Sequence, residues 1–436
     1  MDTVHESSTT TVRSYLDDEF APVTEEVTAF DLPVTGSLPA ELDGRYVRIG
    51  PNPKSADPAT YHWFFGEGMV HGVRLRDGRC EWYRNRWTSA PGAPFPPNTN
   101  VIGIGASTFA IVESFPPPVE LSFELDPIGV STFDGTLDGA YTAHPKVDPA
   151  TGLLHAVTYQ PPSAAVHYLA VGPDARVLHD VEIPLADSPM VHDTAITESK
   201  VLVFDLPVTF DAAAGGTSPF AWQPDRAARV GVLPLLGAPD QVVWCEAPSS
   251  YVFHPLNAFD LPDGRVVVDV VKWPKAFDHS DPHGPGAAAP TLVRWTLDPA
   301  NGSVSEALLS DRAQEFPRVN EGVVGRRHRY GYTVAGMIGQ TAAVLKHDLE
   351  AGSTEAWEPG SQWFLSEAVF VPTGGSPSPG QAEDDGWLML YAHDRSTARS
   401  SYVVLAAQDL AAGPVASVEL PQRVPAGFHG NWIPAG

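Results

Sequence analysis

The chain has 436 residues, 43 % of them hydrophobic, and a formal net charge of −26. Its length exceeds the usual single-core domain, which leaves two domains or one toroidal β fold whose repeats each add a small core. An acidic surface repels phosphate backbones and anionic headgroups, so nucleic acid is not expected as a partner, nor is a purely electrostatic membrane contact.

Residues 1–20 carry Ser, Thr and acids without an apolar stretch, which predicts a loose arm and no secretory leader. Residues 21–436 are expected to form one domain. The 43 prolines and 38 glycines are spread along the chain, as many short strands require. Hairpins are predicted at Asp77-Gly78, Asp263-Gly264 and Asp385-Gly386, each beside alternating apolar residues. Turns are predicted over 148–152 and 298–302, so the sequon at Asn301 reads as a turn. No segment has a sustained 3.6-residue apolar period, so helices should be few and short. The 209–224 stretch, small and aromatic, predicts a binding loop. The flexible, acidic 372–386 stretch predicts a solvated connector. Cys80 and Cys245 belong to no CxxC pair, and both are expected as buried thiols in a reduced, cytoplasmic protein. No run of about 18 apolar residues exists to span a bilayer.

Fifteen histidines are present, and most of them, including His5, His155, His279, His283, His328 and His347, read as surface or hydrogen-bonded core residues. Four have distinct settings: His144 before Pro145, His192 before Asp193, His254 before Pro255, and His429 between Phe428 and Gly430. The gaps between them are 48, 62 and 175 residues. No helix or hairpin gathers ligands at such gaps. A ring of β units does, because each unit sends a strand to a common axis, and four imidazoles there suit iron.

A series of motifs runs in order along the chain: Gly44-Arg45-Tyr46-Val47-Arg48-Ile49-Gly50-Pro51, Phe64-Phe65-Gly66-Glu67-Gly68-Met69, Asn98-Thr99-Asn100-Val101, three of the histidine segments, Glu315-Phe316-Pro317-Arg318, Glu383-Asp384-Asp385-Gly386-Trp387 and Gly427-Phe428-His429-Gly430. Together they resemble the carotenoid cleavage oxygenase family, which includes carotenoid and apocarotenoid dioxygenases, stilbene-cleaving oxygenases and a retinoid isomerase. The resemblance implies an all-β, seven-bladed β-propeller with Fe(II) on the axis and a dome of loops and short helices over a substrate tunnel. Seven blades give about 62 residues each, more than a four-stranded unit needs, and the surplus would form those loops.

Carried over by motif, the iron ligands would be His144, His192, His254 and His429. The resemblance places Glu113, Glu315 and Glu367 behind them, where each carboxylate would accept a histidine N–H and fix the tautomer. Each stands in an apolar stretch, where an unpaired carboxylate is costly. Thr99 resembles the family threonine whose methyl group limits access to one iron position. Stilbene-cleaving members carry a tyrosine and a lysine that grip the substrate's phenol. The matching positions here are Trp87 and Val112, which implies a greasier tunnel.

The expected reaction is oxidative cleavage of a conjugated C=C bond by O2 into two carbonyl products, on an apocarotenoid or carotenoid. A stilbene or a small phenylpropenoid of the isoeugenol type is the alternative substrate. Fe(II) is the expected cofactor and O2 the cosubstrate. No obligate protein partner is indicated, and peripheral membrane contact would come through apolar dome loops, including Phe220 and Trp222. An isomerase without O2 incorporation and a metal-free adaptor propeller are the competing readings. A zinc hydrolase fits less well, because four histidines close a tetrahedral zinc site.

Overall fold

The computed structural model describes residues 15–435 except 59, 115, 213–217, 279–287, 337–340 and 379. His5, His279 and His283 lie outside the described residues, as do 1–14 of the expected arm and 213–217 of the aromatic loop. Within the described residues the helices are 3-10 turns of three residues each, and everything else regular is strand. This is what the missing helical period predicts.

The arrangement is all-β and propeller-like. Its sheets have five, four, eight, two, six, four and four strands. Among the described residues every strand pairing but one is antiparallel. The exception is the parallel match of Glu246 with Ser303, which joins the two halves of the eight-stranded sheet. The last strand, Gly430–Pro434, pairs with Gly44–Pro51 near the start, so the two ends of the chain close one sheet together. All eight residues of Gly44–Pro51 are buried, as expected of a strand covered on both faces. The largest buried cluster joins Val203, Val230, Val268, Val270, Trp273 and Trp295 across the eight-stranded sheet.

Turn chemistry accounts for most of the hairpins. Asp77 and Gly78 both have positive φ, 49° and 70°, between Gly68–Arg76 and Arg79–Trp87, as a tight hairpin turn requires. Asp148 accepts from the Ala150 amide, and Gly152 at φ 72° ends that turn.

Three expectations change. Asp385-Gly386 is no hairpin turn, because Gly386 opens the strand Gly386–Asp394. A Cβ there would lie 2.4 Å from the Val371 carbonyl, so the glycine serves close strand approach. The 372–386 stretch is tied down as well as solvated. Glu383 accepts from the amides of Arg329 and Tyr330, and Asp384 pairs with Lys346. Finally, the described end of the arm is packed. Tyr15 stacks on Trp63, Phe20 meets Trp63 edge-on, and Glu19 pairs with Arg395.

Candidate metal centre

The site is built where edge strands of three sheets meet, two of them the opposite edges of the eight-stranded sheet. His144 and His192 stand two residues before the starts of the short strands Lys146–Val147 and Thr194–Ile196. His254 lies within Tyr251–Asp260, and His429 precedes Gly430–Pro434. Each of these strands is the edge of its sheet. The register of Tyr251–Asp260 against Val266–Trp273 is irregular between Val252 and Asn257, the stretch that contains His254. Such irregularities re-aim a side chain, here from the ladder toward the centre.

The four imidazoles offer ligand atoms that all lie within 4.8 Å of one another. His192 Nε2 is 3.0 Å from His144 Nε2 and 3.3 Å from His254 Nε2. Behind them stand the carboxylates. His192 Nδ1 meets Glu113 Oε2, His254 Nδ1 meets Glu315 Oε2 at 2.7 Å, and His429 Nδ1 meets Glu367 Oε1 at 3.0 Å. A carboxylate on Nδ1 holds the proton there and leaves the Nε2 lone pair facing inward, the tautomer a metal requires.

Each glutamate has further donors that offset its burial. Tyr159 Oη donates to Glu113 Oε1. Trp273 Nε1 donates to Glu315 Oε1 at 2.8 Å, and the Phe316 amide donates to Glu315 Oε2 at 2.5 Å. The Gly430 amide donates to Glu367 Oε2 at 2.9 Å, with Arg318 Nη1 3.5 Å from Oε1. Phe316 holds a left-handed φ of 53°, strained for a phenylalanine, and its ring lies against His254 and His429. The glutamate hydrogen bond to its amide helps to hold that conformation.

Burial raises the carboxyl of Glu113, but His192 and Tyr159 outweigh it and the net direction is down. Glu315 follows the same pattern with His254 and Trp273. Burial is likewise outweighed at Glu367, where Arg318 and His429 hold the carboxyl at about 2. Burial, with the other three imidazoles close by, holds His144 well below the usual histidine range. His254 and His429 are also lowered, first by burial, whereas Glu113 outweighs burial at His192 and shifts it up. The donor set is therefore mostly neutral imidazole with carboxylates ionised behind it, and that chemistry fits a divalent metal.

Sequence reasoning missed Asp193. Its carboxylate lies 3.8 Å from His144 Nδ1 and is bonded to Lys146 Nζ at 2.8 Å. The His192-Asp193 adjacency was its signal, but contact with the other histidine spans 49 residues and shows in no local pattern.

Two cavities converge on the histidines. One, of about 480 Å³, is lined by aromatic rings including Trp63, Phe64, Phe253, Phe277 and Phe428. His192, His254 and His429 reach it, as do Thr99, Val112, Glu113 and Glu315. The Thr99 hydroxyl donates to Asn98 Oδ1 at 2.8 Å, which leaves its methyl group free. Phe220 lines this cavity, whereas Trp222 does not. Phe65, which the sequence reading passed over, lines it and is 46 % exposed. Trp87 is not among its lining residues. The Trp87 indole donates to the Asn52 carbonyl at 3.3 Å and lies under Lys54, a correction to its expected place beside substrate. The second cavity, of about 510 Å³, has the more polar lining of the two and also reaches His144.

Comparison with known proteins agrees with this arrangement. Residues 20–434 match the family described as retinal pigment epithelial membrane protein. A relative from Mycobacterium tuberculosis named carotenoid cleavage oxygenase is 42 % identical, with 96 % of this chain and 97 % of that protein covered. The lignostilbene dioxygenase of Pseudomonas brassicacearum has the same shape, with a TM-score of 0.89 and 29 % identity over 97 % of this chain and 99 % of that one. Cobalt-substituted apocarotenoid oxygenase of Synechocystis matches with a TM-score of 0.84 and 26 % identity over 95 % and 97 % of the two chains. The chain belongs to the family of the retinal pigment epithelial membrane protein and the carotenoid cleavage oxygenases.

Proposed function

We propose that this chain is a non-haem Fe(II) dioxygenase that cleaves one conjugated C=C bond of an apocarotenoid or carotenoid. The observation that carries the proposal is an aromatic cavity that reaches three of four clustered imidazoles, each of those three backed by a carboxylate. In the balanced reaction the C=C and O=O bonds break, and each alkene carbon leaves as a carbonyl with one oxygen atom.

His144, His192, His254 and His429 would hold the iron, and Glu113, Glu315 and Glu367 would orient His192, His254 and His429. The chemistry that iron supplies in such a site is dioxygen activation without a separate organic reductant. The protein's share is placement. Aromatic walls desolvate a polyene and present one bond to the centre. The hydroxyls of Thr99, Ser114 and Tyr159 all donate to protein acceptors, so their protons are committed within the protein. Val112 lines the cavity where stilbene-cleaving members carry lysine, which supports the polyene reading. Cleavage of a stilbene or a phenylpropenoid is the second reading, and the closeness in shape to lignostilbene dioxygenase favours it.

The same reading takes the eight-stranded sheet as two four-stranded blades touching through one residue pair, which makes seven blades in a single domain. Peripheral lipid contact is proposed through the exposed face of Phe65 rather than through charge. Two buried free thiols support a reducing, cytoplasmic setting.

Aerobic turnover by the Fe(II)-loaded protein tests the proposal, with an apocarotenal and a 4-hydroxystilbene offered side by side in the presence of labelled dioxygen. Shorter polyene aldehydes carrying label are expected. Benzaldehyde-type products alone would transfer the assignment to the second reading, and unlabelled products would transfer it to an isomerase. His254→Ala should abolish both bound iron and turnover; full activity in that variant would sink the ligand assignment.

A further inference from the structure

The aromatic cavity suits an apolar substrate, but it is a poor path for a divalent cation. Aromatic rings offer nothing to replace the water that such an ion sheds. The second cavity carries charged side chains among its apolar ones. Its volume is about 510 Å³, whereas six waters around a cation occupy about 180 Å³ at about 30 Å³ each. Its lining holds four carboxylates, Asp148, Asp193, Glu321 and Glu367, against two cations, Lys146 and Arg318. It reaches the surface at Val147, Glu321 and Pro377, all exposed. At its inner end it touches His144, His254 and His429. His144 lines this cavity and not the aromatic one, whereas His192 lines the aromatic one and not this.

We propose that the polar cavity is the route by which a hydrated divalent cation enters and reaches the four imidazoles, separate from the route of the apolar substrate. The inference rests on the reading of those imidazoles as a metal site. The lining favours a cation twice. Its acids outnumber its bases, and the chain's net charge of −26 adds a negative field that walls of low dielectric focus into the opening. Asp193 stands at the inner end, only 2 % exposed and held by Lys146. Its carboxylate lies 3.8 Å from His144 Nδ1, behind the Nε2 that faces the other imidazoles, and adds negative charge at that end of the cavity. The ion would keep its water along a lining that carries acidic side chains and exchange it for imidazole nitrogen at the inner end.

The test is the rate at which the metal-free full-length chain takes up Co(II) alone, followed by the visible absorption of the nitrogen-ligated ion. Val147→Trp narrows the outer opening at a residue 39 % exposed, where a larger ring extends into solvent rather than core. Glu321→Lys reverses a charge at the same opening and keeps the test open if the first variant fails to fold. Val112→Trp fills the aromatic cavity instead. Uptake should slow by about tenfold or more in each of the first two variants, at unchanged final stoichiometry, and stay at the wild-type rate in the third. Equal rates in all of them, or slowing in Val112→Trp alone, would overturn the route. A wild-type chain that binds no Co(II) would instead remove the metal site itself, and the route with it.

Discussion

Glu315→Gln is the sharpest probe of how the imidazoles are aimed. Glu315 is an acceptor at three contacts: Oε2 serves His254 Nδ1 at 2.7 Å and the Phe316 amide at 2.5 Å, and Oε1 serves Trp273 Nε1 at 2.8 Å. Glutamine keeps the shape but replaces one oxygen with a donor. With its oxygen toward His254 and Phe316, its amide group faces the Trp273 N–H. Turned round, it faces two N–H groups and orphans both. The first arrangement wins because it leaves the Trp273 N–H without an acceptor rather than both the His254 and Phe316 N–H groups. That costs about 1–3 kcal/mol of stability. His254 keeps an acceptor, now a neutral one, so its Nε2 becomes a weaker donor. Losing such a carboxylate typically weakens metal affinity by about 10–100-fold, or about 1.4–2.7 kcal/mol. The two losses have separate causes, and Trp273→Phe separates them. In a double-mutant cycle followed by urea unfolding, the tryptophan change should recover about 1–3 kcal/mol in the glutamine background, because the orphaned N–H is gone. It should not restore Co(II) affinity measured by titration. Additive stabilities, or a glutamine variant that binds metal as tightly as wild type, would refute the reasoning.

Two further outcomes follow from other parts of the structure. Val112→Lys places a cation in the aromatic cavity next to Glu113, and turnover should shift from an apocarotenal toward 4-hydroxystilbene by about tenfold in relative kcat/KM; an unchanged ratio would show that Val112 does not set the preference. His71 is buried with its Nδ1 2.9 Å from the Tyr83 hydroxyl, and burial, with Arg48 and Arg423 nearby, holds its imidazole down at about 3. The folded protein thus keeps His71 neutral, while the unfolded chain protonates it below about 6.5. Its contribution is complete above that pH and is lost as pH falls toward 3, by about 2 kcal/mol at pH 5. His71→Gln should flatten the fall in urea midpoint between pH 7 and pH 5, and an undiminished slope would falsify this assignment.

The parts of the fold legible in the sequence are those set by local chemistry. Asp77-Gly78 makes its hairpin because both residues tolerate positive φ. The same dipeptide at Asp385-Gly386 misleads, because that glycine answers to the carbonyl of Val371 across the sheet, a contact no local pattern encodes. The four histidines quoted from the sequence are the four that the structure gathers within 4.8 Å. Their selection came from ordered motifs, since nothing in a gap of 175 residues identifies a partner. The pairing of each glutamate with its histidine was beyond the sequence for the same reason, as was Asp193. Trp87 fails differently. It was placed by a motif position, yet the carbonyl of Asn52 and the ammonium of Lys54 hold its ring elsewhere.

Charge supplies the last step. Glu113, Glu315 and Glu367 are all shifted toward ionisation despite burial, and Arg318 stands beside the third of them. Asp193 and Lys146 cancel one another at 2.8 Å. Three carboxylates held toward ionisation put negative charge behind four imidazoles, which suits a cation. The arrangement is also uneven. His192, His254 and His429 are each fixed by a glutamate, and all three reach the aromatic cavity where a substrate bond must be held in register. His144 faces the polar side alone, and the nearest carboxylate to its Nδ1 is committed to Lys146. The carboxylate support is thus concentrated on the imidazoles that reach the aromatic cavity, and the imidazole without it is the one of the four that lines the polar cavity only.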